Sequence, residues 1–127
     1  TLIVMSLDID TLNEIVRAFV TNTLHVEGAA LVTAEGLPLV STLPTQLEES
    51  RAAAMAAAVV SIGDRIGEEL HRGSTQHILL EGAQGYSILT LCSEETLFLV
   101  LASSAAKQGV LMLEIKRVVT RLLQALV

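Results

Sequence analysis

Apolar positions repeat at helical spacing near the start of the chain. Four of them follow the pattern i, i+3, i+4 and i+7: Leu12, Ile15, Val16 and Phe19. This spacing puts their side chains on one face of an α-helix, which we expect to run from about Thr11 to Asn22. Thr11 and Glu14 have the spacing of a capping box, in which each side chain satisfies a backbone N–H of the other residue. The pattern therefore predicts that the helix begins at Thr11.

Two strands are predicted after this helix, over Ala29–Thr33 and Leu37–Thr42. The tight turn at 34–36 would join them as a hairpin. Pro38 lies inside the second run, and proline has no N–H to donate to a neighbouring strand. We therefore expect the second strand at an edge of the sheet.

A long helix is predicted from about Thr45 to Arg72, ended by Gly73. Thr45 and Glu48 repeat the capping-box spacing, and the middle of the segment is rich in alanine, the strongest helix former. Small residues line one face of this helix: Ala52, Ala56, Val59, Gly63 and Gly67. Each helical glycine costs about 1 kcal/mol relative to alanine, so we expect a close backbone contact to offset it. The chain's own sheet and a second subunit or partner both remain open as the origin of that contact.

Three more strands are predicted over Gln76–Glu81, Tyr86–Cys92 and Leu97–Ser103, followed by a helix over Lys107–Leu126. The short turns between the strands indicate an antiparallel meander. Residues 97–102 are all apolar, so this strand should be buried on both sides, with helices covering both faces of the sheet. A meander leaves one edge strand free, and no proline protects Gln76–Glu81. We therefore predict that two copies pair through this strand.

Composition limits the classes of function. The 127 residues carry no linker or repeat, which indicates a single domain over residues 1–127. Apolar residues make up 51% and the mean hydropathy is +0.59, so we expect some apolar surface to be covered by a second copy or a partner. A net charge of -6, an aromatic content of 2% and the lack of tryptophan exclude the usual means of binding nucleic acid.

The single cysteine, Cys92, excludes an internal disulfide and fits a reducing cytoplasm. No uncharged run approaches the ~18 apolar residues that a membrane-spanning helix needs. Thr1–Met5 is apolar but short and has no basic residue before it, so we expect neither a signal peptide nor membrane insertion.

The sequence contains few residues that could act in catalysis or bind a metal or a phosphate. Cys92 could be a nucleophile with His77 or His25 as its base, but nothing marks a third residue that would orient them, so we interpret it as a packing residue. These two histidines and His71 show no metal-binding spacing. Gly82–Gly85 lies between two strands and lacks the phosphate-loop frame, which indicates a hairpin turn. We therefore predict no catalytic, cofactor-binding or metal-binding residue, and we interpret the chain as not an enzyme.

Three segments share a distinctive order of small, apolar and turn residues: Val26–Val40, Ala52–Leu70, and Ile78–Gly82 with Gly85-Tyr86. In these segments the chain resembles the Roadblock (dynein light chain) domain family, in particular its bacterial regulators of small GTPases. The similarity runs from about Thr11 to Arg121. Its motifs specify the fold well and the function only loosely.

The resemblance implies an α+β fold in the order α-β-β-α-β-β-β-α. A five-stranded antiparallel sheet would have the long helix on one face and the N- and C-terminal helices on the other. It also implies homodimers or heterodimers without catalytic residues, formed by the long helix and the strand after it. The predicted dimer or partner interface comprises Ala52, Ala56, Val59, Gly63, Gly67, Gln76, Ile78 and Leu80.

The leading functional hypothesis is a non-catalytic dimeric platform that binds and regulates a Ras-like small GTPase in the cytoplasm. Three alternatives stay open: a small-molecule sensor with its ligand at the junction of sheet and helix, a general scaffold without a GTPase, and a Cys92-dependent enzyme. The scarcity of polar residues in the predicted interior and the lack of a nucleophile–base spacing favour the first hypothesis.

Overall fold

The computed structural model describes residues 8–126, so Thr1–Met5 lies outside the described residues. Eight elements follow in the predicted order: α1 (Ile9–Asn22), β1 (Val26–Thr33), β2 (Pro38–Thr42), α2 (Glu49–Glu69), β3 (His77–Gly82), β4 (Gly85–Leu91), β5 (Thr96–Ser103) and α3 (Gln108–Leu126). None of the helices within residues 8–126 has the length and apolar character needed to cross a bilayer.

The five strands form one antiparallel sheet in the order β2-β1-β5-β4-β3. The edge position predicted for the proline-containing strand is confirmed, because Pro38 lies in β2 and pairs only with β1. The strand at the opposite edge, β3, pairs with β4. The meander β3-β4-β5 is likewise confirmed.

Two apolar cores sandwich the sheet, as the uninterrupted apolar run of β5 predicts. Alternate residues of β5 point to opposite sides: Phe98 and Val100 pack with α1 and α3, and Leu97 and Leu99 pack with α2. The ring of Phe98 lies 5.6 Å from that of Phe19 in α1, measured between centroids. The fold class is therefore the predicted one, with α2 on one face and the terminal helices on the other.

The capping box predicted for α1 is wrong. The helix begins at Ile9, and Asp8 is its N-cap. The Asp8 carboxylate accepts hydrogen bonds from the hydroxyl and, at 3.1 Å, from the backbone N–H of Thr11, and these bonds lower the pKa of that carboxyl. Thr11 therefore donates to a residue before it instead of capping a helix after it.

The capping box predicted for α2 is also wrong. The N–H of Leu47 donates to the Pro44 carbonyl at 3.0 Å, which closes a separate turn. Helical bonding begins only with the N–H of Ala52, which donates to the Glu48 carbonyl at 3.0 Å. The helix then spans Glu49–Glu69 and is shorter at both ends than predicted.

Candidate interaction surface

Helix α2 covers only part of its face of the sheet. It packs mainly on β1, β2 and β5, whereas β3 lies beyond this overlap at the far edge. On β3, Ile78 is half-buried against the core under α2. Leu80 is two residues further along, so it points to the same side of the sheet, and it is 49% exposed. The α2 side of β3 is therefore an apolar surface that the described residues leave open.

A row of exposed apolar side chains continues this surface along α2 and ends at its C-cap residue, Leu70. Four residues are each more than half exposed: Met55, Ile62, Ile66 and Leu70. We call them the outer stripe. They are separated by seven, four and four positions, so they share one side of the helix. Exposed apolar surface of this kind is typical of interaction sites.

The predicted small-residue face lies between the outer stripe and the side of α2 that is buried against the sheet. Successive helical residues turn by about 100°, so the stripe is roughly a third of a turn away from the buried side. Ala56 and Gly67 are buried within the chain itself. Ala52, Val59 and Gly63 are half-buried and border the stripe.

The two glycines of this face are in close contact with the segment that leads into β3. A Cβ atom on Gly63 would lie 2.8 Å from Thr75 Oγ1 and 3.1 Å from Ile78 Cδ1. A Cβ atom on Gly67 would overlap the carbonyl oxygen of Gly73. The close backbone approach expected from these glycines is therefore found at Gly67, whereas Gly63 is in close contact with side chains. In both cases the neighbour is the chain's own segment 73–78.

The turn after α2 holds that segment in place. The carbonyl of Gly67 accepts hydrogen bonds from the N–H of Arg72 at 2.7 Å and of Gly73 at 3.2 Å. His71 and Gly73 both have positive φ angles, 57° and 87°, which end the helix and reverse the chain. The start of β3 is thereby fixed against the flank of α2.

The structure gathers the β3 residues of the predicted interface beside this helix. Ile78 is half-buried, whereas Leu80 and Gln76 are exposed. Gln76 lies just before β3, and its carbonyl accepts the N–H of Leu91 at 2.9 Å. The outer stripe was not identified from the sequence. Its helical spacing is visible in the sequence, but that spacing does not show whether the side is exposed or buried.

Cys92 has the environment of a packing residue. It is 7% exposed and belongs to the core on the α1–α3 face. Burial raises the pKa of its thiol to about 12, although a hydrogen bond with the Thr96 side chain acts in the opposite direction. The nucleophilic form of cysteine is the thiolate, so Cys92 is protonated and unreactive near neutral pH.

The histidines are dispersed over the fold. His77 and Cys92 line one cleft of about 670 Å³ beside α3, whereas His25 lines a different groove next to the turn after α1. His71 lies in the turn after α2. Across residues 8–126, no three His, Cys, Asp or Glu side chains are grouped closely enough to hold a metal ion.

Comparison with protein families identifies a domain that covers most of the chain. The sequence model of the Roadblock/LC7 domain matches residues 12–102. Two uncharacterized proteins of Methanocaldococcus jannaschii are each 26% identical to the chain over 95 residues, which is 75% of this chain and 82% of each relative.

Solved structures share the fold at low sequence identity. MglB of Myxococcus xanthus superposes with a TM-score of 0.87 at 16% identity, covering 94% of this chain and 92% of MglB. A Roadblock/LC7 domain from Streptomyces avermitilis has a TM-score of 0.79 at 22% identity, covering 86% of this chain and 92% of that domain. The sequence model matches residues 12–102. The structural similarity covers more of the chain, up to 94% of it for MglB.

Proposed function

Because the chain belongs to the Roadblock/LC7 domain family, we propose that it is a non-catalytic homodimeric platform that binds and regulates a Ras-like small GTPase in the cytoplasm. The family resemblance supplies the class of partner. The observation that carries the proposal is the outer stripe of α2 beside the open edge of β3. The buried, protonated state of Cys92 supports a function that depends on contacts and not on nucleophilic chemistry.

In the proposed dimer, the β3 strands of two copies pair antiparallel about a twofold axis. Such pairing joins two five-stranded sheets into one and uses the free backbone groups of both edges. Each α2 then lies beside the α2 of the other copy, above the part of the sheet that one helix alone leaves open. Gly63, Ile78 and Leu80 border this contact, together with the outer stripe.

The apolar surface available for this contact is substantial. Each side chain of the outer stripe has 53–60% of its surface exposed in the single chain. Burying the remaining half of such a side chain contributes about 1 kcal/mol, and a twofold contact uses each residue twice. Backbone pairing along β3 adds to this gain, which must exceed the entropy lost on association.

We propose that regulation acts through surface contact with the switch segments of the GTPase. An inserted arginine would be the alternative mechanism. Arg51 and Arg65 lie within α2, and the Arg65 guanidinium is 3.9 Å from the Glu69 carboxylate. Arg72 lies in the hydrogen-bonded turn after α2. These positions on ordered backbone favour binding contacts over insertion into a nucleotide pocket.

Sedimentation velocity at micromolar concentration tests the dimer. The wild-type chain is expected to sediment as a dimer, and Ile66→Asp and Leu80→Asp as folded monomers, because a charge would be buried in the contact. Leu113→Asp on α3 is the matched control, since Leu113 is 50% exposed but lies on the other face of the sheet. A wild-type monomer, or dimers unaffected by both substitutions, would contradict the proposed interface.

Isothermal titration calorimetry with the Ras-like GTPases encoded in the same genome tests whether a GTPase is the partner. Each GTPase would be loaded with GDP or with a non-hydrolysable GTP analogue. We expect one of them to bind with a clear preference for one nucleotide, and Ile66→Asp to weaken that binding. A folded dimer that binds no GTPase in either state would refute the GTPase part of the proposal and leave the dimer intact.

A further inference from the structure

A second groove lies on the opposite face of the molecule, between α1 and α3. It consists of two adjoining cavities of about 480 and 310 Å³, which share Asn22, Thr23 and Glu114 in their walls. Buried apolar side chains form its floor: Phe19, Ala106, Leu111 and Val118. Because α2 is on the other side of the sheet, this groove is separate from the proposed dimer surface.

Large apolar side chains stand exposed at one end of the groove. Leu24 is 80% exposed and Val110 is 60% exposed, and both line the wider cavity. Leu24 lies in an ordered turn, in which the N–H of Val26 donates to the Thr23 carbonyl at 3.2 Å. His25, with a φ of 70°, completes the turn, and its carbonyl accepts the N–H of Ser103 at 2.8 Å. The backbone therefore holds Leu24 out into solvent.

Positively charged side chains line both cavities of the groove. Lys107, Arg117 and Arg121 belong to its walls, and the lining contains one carboxylate, that of Glu114. That carboxylate accepts a hydrogen bond from Arg117 Nη1 at 2.9 Å. The lining therefore carries a net charge of +2 on a chain whose net charge is -6. The groove is therefore positively charged, although the whole protein carries a net negative charge.

We propose that this groove binds an acidic amphipathic helix of a partner protein. The apolar side of that helix would cover Leu24 and Val110, and its carboxylates would pair with Arg117 and Arg121. Residue 107 and the part of α3 up to residue 121 span about 21 Å, which is the length of about fourteen helical residues. This arrangement is helix-in-groove recognition, with charge complementarity selecting the partner. It does not depend on the GTPase or on the dimer.

A designed peptide tests the chemistry of the site. The probe is a fluorescein-labelled helix of about fifteen residues, with leucines on one face and glutamates on both flanks. One control has the same composition in scrambled order, and the other has lysine in place of glutamate. Fluorescence anisotropy is expected to show binding of the acidic amphipathic probe that weakens with added salt, and at least about tenfold weaker binding of both controls.

Substitutions in the full chain test whether the probe binds in this groove. Leu24→Ser and Arg121→Glu should each lower the affinity for the acidic probe about tenfold. Lys116→Glu should change that affinity less than about twofold. Lys116 is the matched control because it is an exposed cation of α3 outside this groove. Circular dichroism checks that each variant is folded.

Four results would overturn the proposal. The first is that the acidic probe fails to bind, or that either control peptide binds equally well. The second is that Leu24→Ser and Arg121→Glu leave the affinity unchanged. The third is that Lys116→Glu weakens binding as much as Arg121→Glu, which would mean general attraction to α3. The last is that Leu24→Ser dissociates an oligomer in sedimentation velocity, which would make a second copy of this chain the occupant.

Discussion

The carboxylate of Asp64 accepts a hydrogen bond from the backbone N–H of Thr75 at 2.9 Å. This bond joins the C-terminal half of α2 to the segment immediately before β3. The neighbouring Gly63 has no side chain, which leaves room for the side chain of Thr75. The position of the open sheet edge is therefore set by α2, and the two parts of the proposed dimer surface are linked.

Replacing Asp64 should loosen that link. Asp64→Ala is expected to lower the free energy of unfolding by about 1 kcal/mol, because it removes the acceptor of one hydrogen bond. Hydrogen exchange at the Thr75 amide should accelerate. Asp64→Asn keeps an oxygen acceptor and should retain most of the stability, and Glu68→Ala controls for the loss of an exposed acid from the same helix. Unchanged exchange at Thr75 in Asp64→Ala would show that the bond does not hold the segment.

The two glycines of α2 should respond differently to alanine. A methyl group on Gly67 would meet the backbone carbonyl of Gly73, which cannot move without disturbing the turn. Gly67→Ala should therefore destabilise the chain by about 1–3 kcal/mol in urea unfolding, despite the better helix propensity of alanine. A methyl group on Gly63 would meet only side-chain atoms of Thr75 and Ile78, so Gly63→Ala should be close to neutral. Equal effects of the two substitutions would contradict this account.

Cys92 should make stability depend on pH in the alkaline range. Its pKa is about 12 in the folded chain, against an ordinary value of 9.0. Between these values the unfolded thiol ionises while the folded one stays protonated. The free energy of unfolding should therefore fall by about 1.4 kcal/mol per pH unit above pH 9, through this group alone. Below pH 9 the contribution is fully present.

Urea unfolding at pH 8 and pH 10 measures this contribution. Cys92→Ala should be less stable than the wild type at pH 8, yet lose less stability on going to pH 10. The two proteins share every other ionisable group, so the difference between them isolates the effect of the thiol. An identical loss in the two proteins would mean that the thiol ionises as readily in the folded chain as in the unfolded one.

The arginines of α2 and its terminal turn distinguish two mechanisms for any stimulated GTP hydrolysis. Arg51→Ala and Arg72→Ala should each leave the stimulated rate within a few-fold of the wild type once the GTPase is saturated, because exposed ionic contacts contribute about 0–1 kcal/mol. Loss of an arginine finger lowers the rate by about 10³–10⁵. Single-turnover hydrolysis measures the rate. Such a loss in a variant that still binds the GTPase would establish the finger mechanism.

The sheet was predictable where single residues impose a strong constraint. Pro38 lacks an N–H and so placed β2 at an edge, and the unbroken apolar run of β5 required cover on both faces. The starts of the helices were less predictable because several polar residues compete for the same hydrogen bonds. Asp8 precedes Thr11 and accepts its hydrogen bonds, so the helix begins earlier than predicted. The turn closed by the Leu47 N–H and the Pro44 carbonyl occupies the residues that were predicted to begin α2.

The candidate interaction surface was only partly predictable, because its extent depends on the width of the sheet relative to one helix. The spacing of Gly63 and Gly67 signals close packing but does not identify the neighbour, which proves to be the chain's own segment 73–78. The spacing of Ile62 and Ile66 places them on one side of a helix, yet that side could equally face a core. Their exposure becomes visible only when the buried side of α2 is known.

The unlike edges of the sheet limit how large an assembly can grow. Pro38 removes a donor from β2, so that edge is a poor template for a further strand. If β3 joins its own copy about a twofold axis, the one permissive edge of each chain is consumed and two poor edges face outward. Fibres grow when a surface binds a different surface of the next molecule and the rotation never closes. Self-pairing of a single permissive edge instead terminates at two chains, which protects a protein with an open sheet edge and exposed apolar side chains from polymerising.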